Sequence, residues 1–192
     1  MADLSEIILV LKEGGVVAIP TDTVYGLACD MKNESAVQKI YVLKGRPANK
    51  ALPIFIKDID DLAFYAKEIS PKALELAQKY WSGPLTVVVN KTSQVPDFVT
   101  AGGATVAIRI PNHPEVLGLL REYGSPLAVT SANRSEEKEL TTSDAVRGIF
   151  GDMVAIMGGV CGAVGVSTIL DTTTQPMRII RQGTLNLPEL SL

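Results

Sequence analysis

The chain has little of the residue types that carry metal or covalent chemistry. Its 192 residues include two cysteines, Cys29 and Cys161, and one histidine, His113. The cysteines are far apart, so both are predicted to be reduced and buried. One histidine without cysteines at ligand spacing cannot build a zinc site. We therefore expect no bound metal held by side chains and no histidine-dependent nucleophile.

An excess of positive charge is also missing. The net charge is -3, the sequence pI is near 5.2 and only 5% of the residues are aromatic. Proteins that coat nucleic acid are usually basic and stack bases on aromatic rings. These values argue against wholesale nucleic-acid binding, although they leave room for a local basic groove.

Long apolar runs and secretion signals are absent as well. No run reaches the length of a membrane span. The first residues, MADLSEIILVLKEGG, carry acids early and lack a small-residue cleavage site, so they predict a helix of the mature protein. The sequence thus predicts a cytoplasmic protein with no membrane partner.

The two common nucleotide-binding motifs are missing too. The chain contains neither a Walker A loop nor a G-x-G-x-x-G after a strand. A nucleotide would therefore need a different cradle.

Helical and strand patterns alternate along the chain, in which 46% of residues are hydrophobic. Many strands are continuous apolar runs, which is typical of an α/β sheet covered by helices. One domain over 1–192 is predicted, with 184–192 as a tail. The predicted helices are 4–11, 34–43, 59–68, 70–81, 113–124 and 142–151. The predicted strands are 16–20, 52–56, 85–90, 105–111, 126–132, 154–158, 167–171 and 177–183.

The sequence KGRPANK crowds three cations into one turn before an apolar strand. Lys44, Arg46 and Lys50 surround a Gly and a Pro. Guanidinium and ammonium groups bind phosphates, and Pro47 restricts the backbone. The alternative is a solvated helix end, where cations are also favoured. The density of cations favours an anion site.

Polar residues also follow other strands, where ligands of α/β sheets gather. PTDTVYGL offers the hydroxyls of Thr21 and Thr23 and the carboxylate of Asp22, or else forms a turn. Arg109 lies inside an apolar strand and needs a partner, a ligand or a structural ion pair. TSAN offers Ser131 and Asn133, which could equally form a local turn.

Six motifs in the same order, PTDTVYGL, KGRP, GPLTVV, TVAIRIP, TSAN and STILD, closely resemble the YrdC-like family of threonylcarbamoyl-AMP synthases. The match runs from about residue 14 to about residue 183. The resemblance implies a twisted, mixed α/β sheet around a large, basic concave site. It is to the short, single-domain form of the family.

The resemblance also implies a reaction. Family members condense ATP, L-threonine and bicarbonate to threonylcarbamoyl-AMP and release pyrophosphate, which makes them nucleotidyltransferases. A partner protein complex then transfers the threonylcarbamoyl group to tRNA. Magnesium is expected as a cofactor, held mainly by the ATP phosphates.

Site residues follow motif by motif from the resemblance. The residues implied to contact ATP are Lys44, Arg46, Lys50, Thr105, Ser131, Asn133 and Arg181. The residues implied to contact threonine are Thr23, Arg109 and Ser167. Arg109 would then find its partner in the threonine carboxylate. No side chain is expected to act as a catalytic acid or base, because the nucleophile is the substrate.

Two departures from the family pattern stand out. SANRSEEKEL places three acids, Glu136, Glu137 and Glu139, near the implied triphosphate site, where they should face solvent or help hold a metal. Phe55 and Ile56 occupy the region where many relatives have a histidine. Two alternatives stay open, an RNA-binding module and a diverged paralogue that makes a different carbamoyl or acyl adenylate.

Overall fold

The computed structural model describes residues 1–162 and 165–190. The predicted tail, 184–192, therefore ends in two residues that lie outside the described part. The α-helices are α1 (Leu4–Lys12), α2 (Glu34–Lys44), α3 (Leu62–Tyr65), α4 (Pro71–Tyr80), α5 (Pro114–Tyr123) and α6 (Ser143–Phe150). The strands are β1 (Val17–Ile19), β2 (Gly26–Asp30), β3 (Ile54–Phe55), β4 (Ala66–Lys67), β5 (Leu85–Lys91), β6 (Thr105–Arg109), β7 (Leu127–Ser131), β8 (Ala155–Ile156), β9 (Thr168–Asp171) and β10 (Arg178–Arg181).

The ten strands of the described residues all join one mixed sheet, which confirms the predicted fold class. Nine follow the order β10-β9-β5-β6-β3-β7-β2-β1-β8, and β4 pairs with β5 beside this path. The pairs β1/β8, β3/β6 and β5/β9 are parallel, and the other pairs are antiparallel. Strands far apart in the sequence thus become neighbours, which brings the loops after them together.

The sheet is covered unequally on its two faces. On one face, buried residues such as Leu27 and Ile108 pack with Ile40 of α2, Leu76 of α4 and Phe150 of α6. Alternate strand residues point to the other face.

There, a second cluster joins α1 and α5 to one part of the sheet. Ile7 of α1 and Leu119 of α5 pack on Val17, Phe55 and Val129. The members of this cluster on the sheet come from β1, β2, β3 and β7, and none comes from β5, β6 or β9. The remaining part of this face is where a ligand could lie.

Helix α2 delivers the cationic turn to that open region. Asn33 caps the start of the helix, because its side chain accepts a hydrogen bond from the N–H of Ala36. Gly45 caps its end with a left-handed φ of 59°, a conformation that glycine adopts without steric cost. The chain therefore reverses directly into Arg46 and the residues that follow.

The structure differs from the predicted elements in two segments. Residues 26–30, which are not among the predicted strands, form β2, which pairs with β1 and β7. Residues 59–68, predicted as one helix, form a 3-10 turn (Ile59–Asp61), the short α3, and β4. Ala66 and Lys67 of β4 pair with β5, so sheet pairing overrides the helical pattern there.

The predicted state of the two cysteines is confirmed. Cys29 and Cys161 are free and buried, and the side chain of Ser70 caps α4. Within the described residues, no helix is both long enough and apolar enough to cross a membrane.

Gly183, just beyond β10, packs directly against the backbone before β9. A Cβ at this position would lie 2.5 Å from the backbone nitrogen of Thr168 and closer still to Val166 O and Ser167 C. We expect Gly183→Ala to lower the free energy of unfolding by about 1–3 kcal/mol, because the crowded atoms are backbone and cannot move aside. Urea unfolding measures this.

The matched control is Gly118→Ala in α5. A Cβ there meets no atom within 4 Å, so the better helix propensity of alanine should stabilise the protein by up to about 1 kcal/mol. Equal stability of Gly183→Ala and the native protein would contradict the close packing.

Candidate active site

A pocket of about 370 Å³ occupies the open part of the sheet face. Its floor comes from strand residues that point away from the main core, including Val88, Ala107 and Ile169. Its rim comes from the turn after β1, the turn after α2 and the end of β7. The volume is in the range of small-molecule sites.

Six of the ten predicted site residues line this pocket. They are Thr23, Arg46, Arg109, Ser131, Ser167 and Arg181. Among the described residues that line the pocket, three carry guanidinium groups and none carries a carboxylate. The pocket is therefore suited to anions, although the whole chain is acidic.

Arg109 is held by three different segments of the chain. Its Nε donates to Gly83 O at 3.0 Å, and its Nη1 donates to the hydroxyl of Thr23 at 3.2 Å. Its Nη2 forms a 2.7 Å ion pair with Oδ1 of Asp22. The guanidinium also lies 5.6 Å from the ring centroid of Phe55, within cation–π range.

In the structure, Arg109 therefore already has a protein partner, the carboxylate of Asp22. The sequence places Asp22 in the PTDTVYGL motif but does not indicate this role. Arg109 is only 4% exposed. Burial lowers the pKa of its guanidinium, and the carboxylate of Asp22 acts in the opposite direction. A buried cation in this strand requires such a counter-ion.

Ser167 and Arg181 form a second wall of the pocket. Arg181 donates from Nε and Nη2 to Ser167 O, at 3.1 and 2.9 Å, and from Nη2 to the Ser167 hydroxyl at 3.0 Å. The Ser167 hydroxyl also lies 2.9 Å from that of Thr86 on β5. Burial lowers the pKa of Arg181, Glu139 raises it to a smaller extent, and Arg109 contributes a further lowering. The charge of Arg109 therefore acts on Arg181 across the pocket.

Lys44 lies beneath the pocket rather than in its wall. It is 3% exposed, and its ammonium donates to Ser131 O at 2.5 Å, to Asn133 O at 2.7 Å and to Asn133 Oδ1 at 3.1 Å. An ammonium has three donors, and these contacts use all of them. Lys44 therefore fixes the TSAN turn, and a direct contact with a phosphate would require it to release one of these oxygens.

Asn133 also serves the turn. Its Oδ1 accepts from the Ser131 hydroxyl at 2.6 Å, and its Nδ2 donates to Glu137 O at 2.6 Å. Asn133 is 5% exposed and does not line the pocket, whereas Ser131 does. Of the two predicted residues of this motif, Ser131 is the one that lines the pocket.

The KGRPANK turn presents Arg46 to the pocket and Lys50 to solvent. Arg46 donates to Lys50 O at 3.4 Å and to Ala51 O at 3.1 Å. The hydroxyl of Tyr41 also donates to Lys50 O, at 3.0 Å. Lys50 is exposed and is not among the lining residues. Of the three cations, Arg46 is the one that lines the pocket.

Thr105 and the loop that carries Glu136, Glu137 and Glu139 lie outside the residues that line the pocket. Thr105 shares a face of β6 with Ala107 and Arg109 but lies beyond the lining residues. Glu136 and Glu137 are exposed, as expected of acids near an anion site, whereas Glu139 is half-buried. Across the described residues, no cluster of three or more potential metal-ligating His, Cys, Asp or Glu side chains is found.

The arrangement suits recognition of anions and hydroxyl groups. Among the described lining residues there is no histidine and no cysteine. Cys161 is buried, which raises the pKa of its thiol. The guanidinium and hydroxyl groups that line the pocket can position substrates and stabilise negative charge.

Comparison with known proteins agrees with the motifs. The profile of the Sua5/YciO/YrdC family, described as "Telomere recombination", matches residues 9–183. Threonylcarbamoyl-AMP synthases from Pyrococcus abyssi and Bacillus subtilis are each 40% identical, over 94% and 90% of this chain. The chain spans about half the length of these two relatives, 54% and 51%. A synthase of the same name from Vibrio vulnificus strain YJ016 is 35% identical, over 95% of this chain and 100% of its own length.

Solved structures give the same result for the fold. The crystal structure of P. abyssi Sua5 complexed with L-threonine matches with a TM-score of 0.92 and 37% identity, over 100% of this chain and 58% of that chain. E. coli YciO matches with a TM-score of 0.86 over 95% of this chain and 90% of its own. At 23% identity, YciO shows a common fold and no more.

The buried ammonium of Lys44 leads to a prediction about pH. Burial lowers its pKa to about 8, against about 10.4 in an unfolded chain. Between these values the unfolded chain holds a proton that the folded chain has released, so this group makes stability rise with pH. As the pH rises through this range, we expect the unfolding free energy of the native protein to increase relative to that of Lys44→Met by up to about 3 kcal/mol.

Urea unfolding of both proteins at pH 7.5, 9 and 10 measures this difference. Other titrating groups are common to the two proteins and cancel. A difference that stays flat, or that moves in favour of Lys44→Met as the pH rises, would contradict the assigned shift.

Proposed function

The chain belongs to the Sua5/YciO/YrdC family, and from this premise we propose that it is an L-threonylcarbamoyladenylate synthase. The observation that carries the proposal is the pocket itself, in which three guanidinium groups meet the hydroxyls of Thr23, Ser131 and Ser167. The P. abyssi relative whose structure holds L-threonine supports an amino-acid substrate. The reaction joins ATP, L-threonine and bicarbonate, and pyrophosphate leaves.

Two regions of the pocket divide the substrates in this proposal. Arg46 and Ser131, with Arg181, would bind the nucleotide, since Arg46 and Arg181 can neutralise phosphate charge. Thr23, Arg109 and Ser167 would bind threonine. Lys50 follows Arg46 in the same turn, and Thr105 lies on the same strand as Arg109. Both would contact an ATP molecule that extends beyond the pocket. Lys44 and Asn133 act from below, by holding Ser131 in place.

The chemistry asks little acid–base work of the protein. The threonine amine adds to the carbon of bicarbonate, and loss of water gives a carbamate. A carbamate oxygen then attacks the α-phosphorus of ATP, and the bond to pyrophosphate breaks. Arginines beside the phosphates would stabilise the charge that builds on the leaving group.

Magnesium fits this scheme as a companion of the triphosphate. The described lining residues offer hydroxyls but no carboxylate, so the ATP phosphates would supply most of its ligands. The product, a mixed anhydride, would pass its threonylcarbamoyl group to tRNA through partner proteins, in the cytoplasm.

Pyrophosphate release is the first test. We expect release only when ATP, bicarbonate and threonine are present together, because the carbamate is the nucleophile. A coupled pyrophosphate assay with each component omitted in turn measures this. Release without threonine would overturn the proposal and favour a paralogue with another adenylate. RNA binding as tight as ATP binding, and steeply salt-dependent, would favour an RNA-binding module instead.

A pair of variants tests the division of the pocket. Arg109→Gln should raise KM for threonine about 10- to 100-fold and that for ATP far less, because it removes charged hydrogen bonds to a carboxylate. Arg46→Gln should do the reverse. Steady-state kinetics with each substrate varied in turn separates the two constants. Equal effects of Arg109→Gln on both substrates would show that Arg109 does not belong to the threonine site.

A further inference from the structure

In the ion pair between Arg109 and Asp22, both side chains keep hydrogen-bonding groups that no described residue uses. Oδ1 of Asp22 accepts from Arg109, whereas its Oδ2 is buried and accepts no hydrogen bond from any described residue. Arg109 has five N–H donors, and the described contacts use three of them. The pair thus retains one free acceptor beside two free donors.

A free carboxylate oxygen in such a place is costly. Buried polar atoms are nearly always hydrogen-bonded, and an unpaired charged oxygen loses its hydration without compensation. If Asp22 served only as a counter-ion, a two-point contact with the guanidinium would satisfy both oxygens. The one-point contact points to a second partner for Oδ2.

The position of Asp22 identifies where that partner would come from. Its chain neighbours Thr21 and Thr23 both line the pocket, and its own side chain is 12% exposed. The pocket wall otherwise offers three guanidinium groups. A cationic group of a ligand would be repelled by them, and Asp22 is the carboxylate in contact with one of them.

We propose that Arg109 and Asp22 together form a receptor for a zwitterion, in which Arg109 binds the α-carboxylate and Oδ2 of Asp22 accepts a hydrogen bond from the α-amino group. The inference rests on the proposed function and adds a substrate contact to it. It also gives the pair a role in specificity. A simple anion gains from Arg109 but is opposed by Asp22, whereas an α-amino acid satisfies both groups.

A small movement completes the contact. Oδ2 is closed to solvent, while part of the Asp22 side chain is exposed. The contact requires the Asp22 side chain to shift so that Oδ2 reaches the pocket while Oδ1 stays on Nη2 of Arg109. The amine held in this way stays next to the carboxylate subsite, from which it can meet bicarbonate.

The test compares two ligands that differ in one group. Threonine and 3-hydroxybutyrate share the carboxylate and the hydroxyl, but the second lacks the α-amino group. Calorimetric titration of the native protein should show threonine binding at least about 10-fold more tightly, as expected of a charge-assisted hydrogen bond. In Asp22→Asn, which keeps the shape and Oδ1 but places an N–H₂ where Oδ2 was, this preference should fall below about threefold.

Two further measurements isolate the effect. Glu122→Gln removes the same charge from an exposed position on α5 and should keep the native preference. ATP affinity should not weaken in Asp22→Asn, whereas a merely structural role would weaken ATP and threonine alike and overturn the inference. A preference for threonine that persists in Asp22→Asn would overturn it as well.

The native protein alone provides a test if Asp22→Asn does not fold. Binding of 3-hydroxybutyrate within about threefold of threonine would then reject the amine contact, and a preference of about 10-fold or more would support it. These failures differ from failure of the proposed function, because in that case the native protein would bind no threonine at all.

Discussion

The buried guanidinium of Arg109 is the constraint on which the pocket depends. A cation at 4% exposure in an apolar strand must be surrounded by acceptors. The fold supplies them from Gly83, just before β5, and from Asp22 and Thr23 in the turn after β1. Satisfying one arginine therefore fixes the turn after β1, the start of β5 and the end of β6 relative to each other. Those are the segments that shape the threonine side of the proposed site.

Lysine and arginine have different roles on the proposed nucleotide side of the pocket. Lys44 is a compact cation with three donors, and the structure uses all three to hold the turn at Ser131 and Asn133. Arg46, two residues later, braces its own turn through Lys50 O and Ala51 O and still lines the pocket. Removing Lys44 and removing Arg46 should thus impair the site for different reasons, one through geometry and the other through charge.

Much of the fold and part of the site could be predicted from the sequence. Apolar runs such as that of β5 marked the strands because they are buried in a sheet, and six motifs placed the family. β2 was not predicted because it begins at Gly26, directly after a polar turn, and because its pairing with β7 joins segments far apart in the sequence. The helical pattern over 59–68 misled for a similar reason, since pairing of β4 with β5 decided the outcome.

The roles of individual site residues could likewise be predicted only in part from the sequence, because they depend on the hydrogen bonds of single atoms. Motifs brought Lys44, Arg46 and Asn133 into one list, but burial and donor counts separate the residue that lines the pocket from those that support it. Asp22 lies in the PTDTVYGL motif, but the sequence does not indicate its role. That role depends on which of its two carboxylate oxygens is hydrogen-bonded. Residue types and spacing indicate which groups are available. Only their arrangement shows which donors and acceptors remain for a ligand, and at Arg109 and Asp22 the remainder matches the two charges of an amino acid.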